Sequence, residues 1–289
     1  MGRLDRHLNK ADDFKEAGRF EEALKELTQA KILAPEDPDV YLSFALTYDA
    51  MGEFQSAIDY FRKALDLNTQ DAYVWTQLGI TLTRMGRHSE SLKSFDVALE
   101  IDPEYVIAKW HTALAYRALG LYEDALINFK DCISSDTEQD YIKDEIFYQV
   151  GLCYFDMGWT REALAEFRQH IEICPDDTWA HLSMGNCYFD LGWIDESSVK
   201  FREVITMAPE FIPAYNALAL SLAEKGWYDE ALEVLRAALQ ISPEDESVQD
   251  NMDYIESLKE DDDGPKGIIL LSLILIKLLN KRGVTDESS

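Results

Sequence analysis

The sequence is poor in the residues from which metal sites and disulfide frameworks are built. Among 289 residues there are four cysteines and five histidines. The cysteines, which form no CxxC pair, are Cys132, Cys153, Cys174 and Cys187. Structural zinc sites and disulfide scaffolds need closely spaced or paired cysteines. We therefore expect free thiols in the core, no metal site and no cofactor.

Basic residues are also scarce. The chain has 27 Lys and Arg residues against 55 Asp and Glu residues, which gives a formal net charge of −28. Nucleic-acid binding depends on a basic surface that neutralises phosphates, so this balance argues against a nucleic-acid partner. An acidic surface keeps a protein soluble and favours basic over acidic partners at long range.

Catalytic and targeting motifs are missing as well. The sequence has no GxSxG, no glycine-rich phosphate loop and no HExxH, and its histidines are scattered. Because an enzyme needs such a nucleophile, base or cofactor loop, we predict a non-catalytic protein. Residues 1–14 are polar and helical in pattern, unlike a secretory signal, which predicts a cytoplasmic location.

What the sequence does contain is an internal repeat. Two sets of three glycines keep a spacing of 34 residues, and they are Gly52, Gly86, Gly120, Gly158, Gly192 and Gly226. A small residue follows each of these glycines after five residues, and an apolar residue follows after nine. Such a period is typical of a stacked array of similar units.

Each unit has the pattern of two helices joined by a tight turn. Trp75, Leu78 and Leu82 recur at helical spacing before the turn glycine, as apolar residues do on one face of a helix. Ala57 and Phe61 begin a similar stripe after the preceding glycine. Glycine permits the backbone turn between the halves, so each unit is predicted to be a helical hairpin.

These units resemble the tetratricopeptide repeat. The residues that carry the resemblance in one unit are Trp75, Leu78, Gly79, Gly86, Phe95, Ala98 and Pro103. The resemblance implies an all-α fold, a right-handed superhelical solenoid of antiparallel helical hairpins that ends in a capping helix.

The expected domain organisation follows from the repeat. A solenoid over residues 4–259 has seven units and a capping helix, and the units begin near Leu4, Pro38, Ala72, Val106, Asp144, Thr178 and Ile212. Four extra residues, 140–143, precede the fifth unit and mark a candidate hinge. After the solenoid we expect an acidic linker at 260–267, an apolar helix at 268–282 and a disordered tail at 283–289.

In this family the first helix of each hairpin lines a concave groove for a peptide or helix. The resemblance therefore implies that its second, fifth, sixth, ninth, twelfth and thirteenth positions face a partner. The candidate groove residues are Tyr73, Gln77, Arg84, Trp110, His111, Arg117, Tyr148, Gln149, Phe155, Trp179, Asn186 and Phe189. Aromatic and arginine side chains often supply binding hot spots. The alternative is that several of these aromatic side chains pack between neighbouring hairpins.

A second candidate surface is an edge ridge at the position just after the turn glycine. Leu121, Trp159, Trp193 and Trp227 stand there in the last four units, whereas the first three units have charged residues. Three exposed tryptophans would leave more apolar area bare than a lone soluble protein usually does. The ridge is thus expected to contact a partner or a membrane headgroup layer, unless each indole packs on its own turn.

The C-terminal run 268–279 is apolar except for Ser272 and Lys277. As a helix it would span ~18 Å, which is short of the ~30 Å hydrocarbon core of a membrane. A helix that is apolar on nearly all sides needs a partner surface. The run could pack on its own solenoid, assemble with a second copy, or act as a short membrane anchor.

The function that fits these features is a non-catalytic scaffold or adaptor that binds a protein or peptide partner. The C-terminal helix would serve self-docking or assembly into a homo-oligomer. Two alternatives share the same solenoid, an adaptor tethered to a membrane through residues 268–279 and a chaperone for an aggregation-prone client.

Overall fold

The computed structural model describes residues 2–134 and 140–260. Within these ranges all regular structure is α-helical, which confirms the all-α class. The predicted apolar helix at 268–282, the tail that follows it and the linker from residue 261 onwards lie outside the described residues. The described helices fall into two compact units, α1 to α8 and α9 to α15.

The first unit consists of four helical hairpins. Its helices are α1 (Arg3–Glu16), α2 (Phe20–Leu33), α3 (Pro38–Ala50), α4 (Phe54–Leu67), α5 (Ala72–Arg84), α6 (His88–Ile101), α7 (Val106–Ala118) and α8 (Tyr122–Ser134). The second helix of each hairpin packs on the first helix of the next, as α2 does on α3 and α4 on α5. Each hairpin therefore covers one apolar side of its neighbour.

The second unit consists of three hairpins and a final helix. Its helices are α9 (Asp140–Asp156), α10 (Thr160–Ile173), α11 (Thr178–Asp190), α12 (Ile194–Met207), α13 (Ile212–Glu224), α14 (Tyr228–Ile241) and α15 (Glu246–Glu260). The four extra residues 140–143 belong to the start of α9, which is 17 residues long. Helix α15 packs on α13 and α14.

The turn inside each hairpin depends on glycine. All seven turn glycines of the described residues have φ between +68° and +78°. Residues that carry a Cβ atom rarely adopt this left-handed conformation. At Gly86 the amide N–H donates to the Thr83 carbonyl (2.8 Å), and the Arg87 N–H donates to the Leu82 carbonyl (2.9 Å). This pattern satisfies the last carbonyls of α5 and ends the helix at a defined residue.

Within a hairpin the two helices approach most closely where glycine on the first helix meets phenylalanine on the second. A methyl group added to Gly79 would lie 2.3 Å from the ring of Phe95, and one added to Gly185 would lie 2.3 Å from the ring of Phe201. Both rings are fully buried. At these two contacts the ring occupies the space that a Cβ atom would need, whereas in the second and fourth hairpins alanine faces the buried phenylalanine, as Ala45 does Phe61 and Ala113 does Phe129.

A buried histidine ties three helices of the second unit together. His170 of α10 is 2.8 Å from the Asp144 carbonyl oxygen of α9 through Nδ1, and 2.9 Å from Asp177 Oδ2 through Nε2. The other oxygen of Asp177 caps α11 by accepting hydrogen bonds from the Trp179 and Ala180 amides. Both ring nitrogens of His170 therefore lie within hydrogen-bond distance of an acceptor oxygen on a neighbouring segment.

The cysteines are free thiols, and three of them are buried. Burial raises the pKa of Cys132 to about 12 and holds the pKa of Cys187 well above its ordinary value. The described residues bring no three His, Cys, Asp or Glu side chains into a metal-binding cluster. Among the helices α1 to α15, none combines the length and the apolar character needed to cross a membrane.

Candidate functional site

The first helices of successive hairpins lie side by side and share one face. In the first unit α1 contacts α3 and α5 contacts α7, and in the second unit α11 contacts α13. On α5 this face carries Tyr73, Gln77, Ile80 and Arg84, which are spaced three or four residues apart. We call these positions, and their equivalents on the other first helices, the inner face of each unit.

Two of the predicted groove residues are accessible on the inner face of α5. The side chain of Tyr73 is 40% exposed, and burial together with the charges of Asp12 and Asp71 raises its pKa. Gln77 is partly exposed one turn further along the helix. A partner can therefore reach an aromatic ring and an amide here.

Arg84, at the end of the same helix, is already paired within the protein. Its guanidinium forms an ion pair with the carboxylate of Asp49 on α3, and the Thr81 hydroxyl donates to that carboxylate at 2.7 Å. A positive charge is also favoured at the C-terminal end of a helix. Arg84 thus links two hairpins of the first unit.

His111 and Arg117 of α7 are partly buried. The His111 ring stacks on Phe95 with a centroid distance of 6.1 Å. Burial, and to a smaller extent the charge of Arg84, lowers the pKa of His111 to about 4. The imidazole is therefore neutral at neutral pH and serves as a flat, mainly apolar surface.

Four predicted groove aromatics are core residues instead. Trp110 packs edge-on against Phe129 at 5.3 Å between ring centroids, and the fully buried Tyr148 packs against Phe167 at 5.6 Å. Phe155 and Phe189 are less than a tenth exposed. The expectation that these four side chains face an open groove is wrong. The fifth and twelfth positions that they occupy turn toward the packed helices of the hairpins.

The remaining aromatic and amide candidates lie in the second unit. Trp179 is partly buried, with its ring edge-on to Phe211 at a centroid distance of 4.9 Å. The Gln149 amide donates to Glu145 at 2.9 Å on the same helix, α9. Trp179 and Gln149 thus remain in reach of a partner only through their partly exposed edges.

Asn186 of α11 is a different case, because it is buried without being satisfied. The residue is 1% exposed, and neither its Nδ2 nor its Oδ1 has a hydrogen-bond partner in the described structure. The Ser183 hydroxyl, one turn earlier on the same face, also lacks a partner there. Buried polar groups of this kind cost stability and call for an explanation.

An acidic column, which the sequence analysis did not single out, runs along the inner face of the second unit. Asp156, Asp190 and Glu224 are each the last residue of a first helix, α9, α11 and α13. Burial raises the pKa of Asp190 to about 6 although its side chain remains accessible to solvent, and burial also raises the pKa of Glu224. Partial loss of hydration raises a carboxyl pKa in this way because it disfavours the charged form.

No cation forms an ion pair with Asp190 or Glu224 among the described residues. A negative charge at the C-terminal end of a helix is further disfavoured by the helix dipole. The signal was present in the sequence, since acids recur at a spacing of 34 residues just before the turn. Aromatic and arginine side chains are the usual hot spots of interfaces, so the prediction named them and not the acids.

A second feature that sequence analysis missed is an aliphatic stripe in the first unit. Leu46, Ile80 and Leu114 occupy the ninth position of α3, α5 and α7, and each is partly exposed. Their spacing of 34 residues is the signal that would have found them. Together they give the inner face of the first unit an apolar strip beside Tyr73 and Gln77.

The predicted edge ridge is half exposed. Trp159, Trp193 and Trp227 are 51%, 43% and 45% exposed, and Leu121 of the first unit is 44% exposed. Each indole has one covered side, as when Trp159 stacks on Tyr154 at 5.8 Å between centroids. Each indole therefore packs on the adjacent turn, which was the alternative expectation. The outer side of each ring nevertheless stays open.

Comparison with known families identifies the repeat. Four models described as tetratricopeptide repeat match residues 14–78, 76–131, 144–177 and 212–245. No curated protein matches the sequence of this chain.

Solved structures share the fold at low sequence identity. A tetratricopeptide repeat protein from Parabacteroides merdae is 16% identical with a TM-score of 0.66, and the match covers 88% of this chain and 99% of that one. YrrB, described as a TPR protein with an unusual peptide-binding site, is 24% identical with a TM-score of 0.51, covering 66% and 96%. A chain of the APC/C Cut9–Hcn1 hetero-tetramer is 15% identical with a TM-score of 0.63, covering 87% and 49%.

These likenesses show the fold alone, whereas the four matched segments identify the repeat itself across most of the solenoid. With its glycine turns, its helical hairpins and their stacking, the chain belongs to the tetratricopeptide repeat family.

Proposed function

We propose that the chain is a non-catalytic scaffold that holds a protein partner along its inner faces, and that the second unit selects a basic segment of that partner. The tetratricopeptide repeat is generally a protein-interaction module, which supports the first half of the proposal. The second half rests on the acidic column of Asp156, Asp190 and Glu224.

The carboxylates of the acidic column would be stabilised by a cationic ligand. Asp190 and Glu224 lose hydration on the inner face and gain no cation in return, so their charged forms are disfavoured, as the raised pKa values record. A lysine or arginine of a partner would supply the missing charge and form charge-assisted hydrogen bonds. The net charge of −28 would steer such a segment toward the protein.

The polar atoms beside the column suit the backbone of the same segment. Ser183 and Asn186 lie on the face of α11 that ends in Asp190, at spacings of three and four residues. An amide side chain both donates and accepts, so it can pair with one peptide group of an extended or helical ligand. Because both side chains are about 1% exposed in the free chain, this contact requires the side chains that cover them to move.

The first unit would add apolar contacts. Its stripe of Leu46, Ile80 and Leu114 offers shallow apolar surface, and Tyr73 offers an exposed ring that can also donate a hydrogen bond. Arg84 is held by Asp49 and adds no free charge. This unit is therefore suited to aliphatic side chains of a partner.

The test compares two short synthetic peptides that share their leucine positions and carry lysine or glutamate elsewhere. Binding to the full chain is measured by fluorescence anisotropy near neutral pH. We expect the lysine peptide to bind and the doubly substituted Asp190→Asn/Glu224→Gln chain to bind it about tenfold more weakly, a loss of ~1.4 kcal/mol. Because Asp190 has a pKa of about 6, binding should also weaken as the pH falls through that value.

A matched control separates the site from general charge attraction. The Glu172→Gln/Glu256→Gln chain loses the same two charges at exposed positions on α10 and α15, and it should bind like the unchanged protein. Equal binding of the two peptides, or equal weakening by both pairs of substitutions, would show that the inner face does not select a basic segment.

A further inference from the structure

The tryptophan ridge, defined as Trp159, Trp193 and Trp227, stands at the same position in three successive hairpins. Each residue caps the start of the second helix of its hairpin, α10, α12 and α14. Tyr154 covers one side of Trp159, Tyr188 covers one side of Trp193, and the Lys225 ammonium lies 3.5 Å from the ring centre of Trp227.

The open sides form a larger apolar surface than a single exposed residue would. With about half of each side chain uncovered, the ridge presents roughly 300 Å² of mainly aromatic surface. The three indoles stand at the same position of three successive hairpins of the second unit.

The chain leaves the described structure beside this ridge. Helix α15 ends at Glu260, and the Lys259 ammonium of its last turn lies 2.5 Å from Asp229 Oδ1. Asp229 is in the first turn of α14, two residues after Trp227. Whatever follows residue 260 therefore starts next to one end of the ridge.

The sequence after residue 260 is long enough to reach the ridge. Residues 261–267 can span up to ~23 Å, enough to reach Trp227 from any direction. The apolar run 268–279 would then span ~18 Å as a helix, which is longer than the width of a single hairpin helix. Ten of its twelve residues are Ile or Leu.

The charges are complementary as well. The first turns of α12 and α14 carry Asp195, Glu196, Asp229 and Glu230 directly after the ridge tryptophans. The run and its end carry Lys277, Lys281 and Arg282. Docking would place these cations near Asp195 and Asp229, which are more than four-fifths exposed although Lys225 and Lys259 already pair with them.

We propose that residues 268–279 dock on the tryptophan ridge of the same chain. The contact removes two apolar surfaces from water at once, and the short connection keeps the effective concentration of the run high. It goes beyond the partner site on the inner face and does not depend on it, because the ridge lies at the turn edge of the hairpins.

The test measures the accessibility of individual tryptophans in the full chain by hydroxyl-radical footprinting with mass spectrometry. Substitution Ile274→Asp/Leu275→Asp makes the run polar without shortening the chain. We expect oxidation of Trp159, Trp193 and Trp227 to rise about threefold in this variant, because half-exposed rings would lose their cover. Oxidation of Trp75, in the first unit, should stay unchanged and serves as an internal standard.

A matched control adds the same charge outside the run. The Ser288→Asp/Ser289→Asp chain should keep the ridge tryptophans protected. Equal oxidation of the ridge in all three chains would overturn the proposal. So would protection that appears only in a dimer when the mass is measured by light scattering, since a second copy would then be the occupant. Protection that requires phosphatidylcholine–phosphatidylglycerol vesicles would overturn it in favour of a membrane surface.

Discussion

At the scale of single residues, His111 shows how packing sets a charge state. Its ring stacks on Phe95 and lies close enough to Arg84 for that charge to act on it. Burial is the larger cause of its lowered pKa of about 4, and Arg84 is the smaller. The unfolded chain has an ordinary histidine with a pKa near 6.5.

This difference predicts a pH-dependent stability. Between about pH 6.5 and pH 4 the unfolded chain binds a proton at His111 that the folded chain does not, so stability falls as the pH falls through this window. Relative to His111→Phe, which keeps a flat ring against Phe95, the unchanged protein should lose about 2 kcal/mol of unfolding free energy from pH 7 to pH 5.

Urea denaturation of both proteins at the two pH values measures this. The two chains have the same carboxylates, so the titration of those groups cancels in the difference. An identical loss of stability in the two proteins would mean that His111 takes up its proton equally easily in the folded state.

At the scale of helices, the Gly79–Phe95 contact predicts a coupled pair of substitutions. Glycine inside a helix normally costs stability, so Gly79→Ala would gain about 1 kcal/mol from helix propensity alone. The added methyl would however lie 2.3 Å from the Phe95 ring, and overpacking of this kind costs about 1–3 kcal/mol. We expect a net loss of up to about 2 kcal/mol in Gly79→Ala.

Phe95→Leu should relieve that strain, because a leucine side chain is smaller than the ring, and leucine already faces alanine in the first and last repeats. Alanine also faces phenylalanine at Ala45–Phe61 and Ala113–Phe129, so the strain in Gly79→Ala depends on the closer approach of α5 and α6. Thermal or urea unfolding of the two single variants and the double variant gives the coupling energy. If the two single effects simply add, the ring and the methyl group do not compete for space.

The hairpins themselves were predictable, and the exposure of individual side chains was not. The glycine turn, the small residue after five positions and the phenylalanine after nine are local patterns, and they predicted the all-α class and the family correctly. Trp110 stands at the fifth position of its helix, which turns toward the packed helices, and Tyr73 stands at the second, but the resemblance assigned both positions to the groove. Trp110 is buried and Tyr73 is 40% exposed although both stand at positions expected to face a partner.

At the scale of the whole molecule, the charge of −28 predicts a salt-dependent stability. Like charges held together in the folded chain repel one another, and salt screens this repulsion over a length that falls from ~30 Å at 0.01 M to ~3 Å at 1 M. The midpoint of thermal unfolding at neutral pH should therefore rise by about 3–6 °C between 10 mM and 500 mM NaCl.

Differential scanning calorimetry at the two salt concentrations measures the shift. At pH 5, closer to the isoelectric point of about 4.4, the net charge is smaller and the shift should shrink with it. A shift of the same size at both pH values would point to a general salt effect on apolar burial rather than to screening.

The hydrogen bonds of His170 have a consequence for cooperativity. The residue belongs to α10, yet its two ring contacts go to the Asp144 carbonyl of α9 and to Asp177, the residue that caps α11. Unfolding of the hairpin of α9 and α10 would therefore also remove a contact that holds the start of α11. In the nearest-neighbour description of repeat proteins this strengthens one coupling constant within the second unit. Amide hydrogens of α9, α10 and α11 would then exchange with solvent as a single block rather than helix by helix.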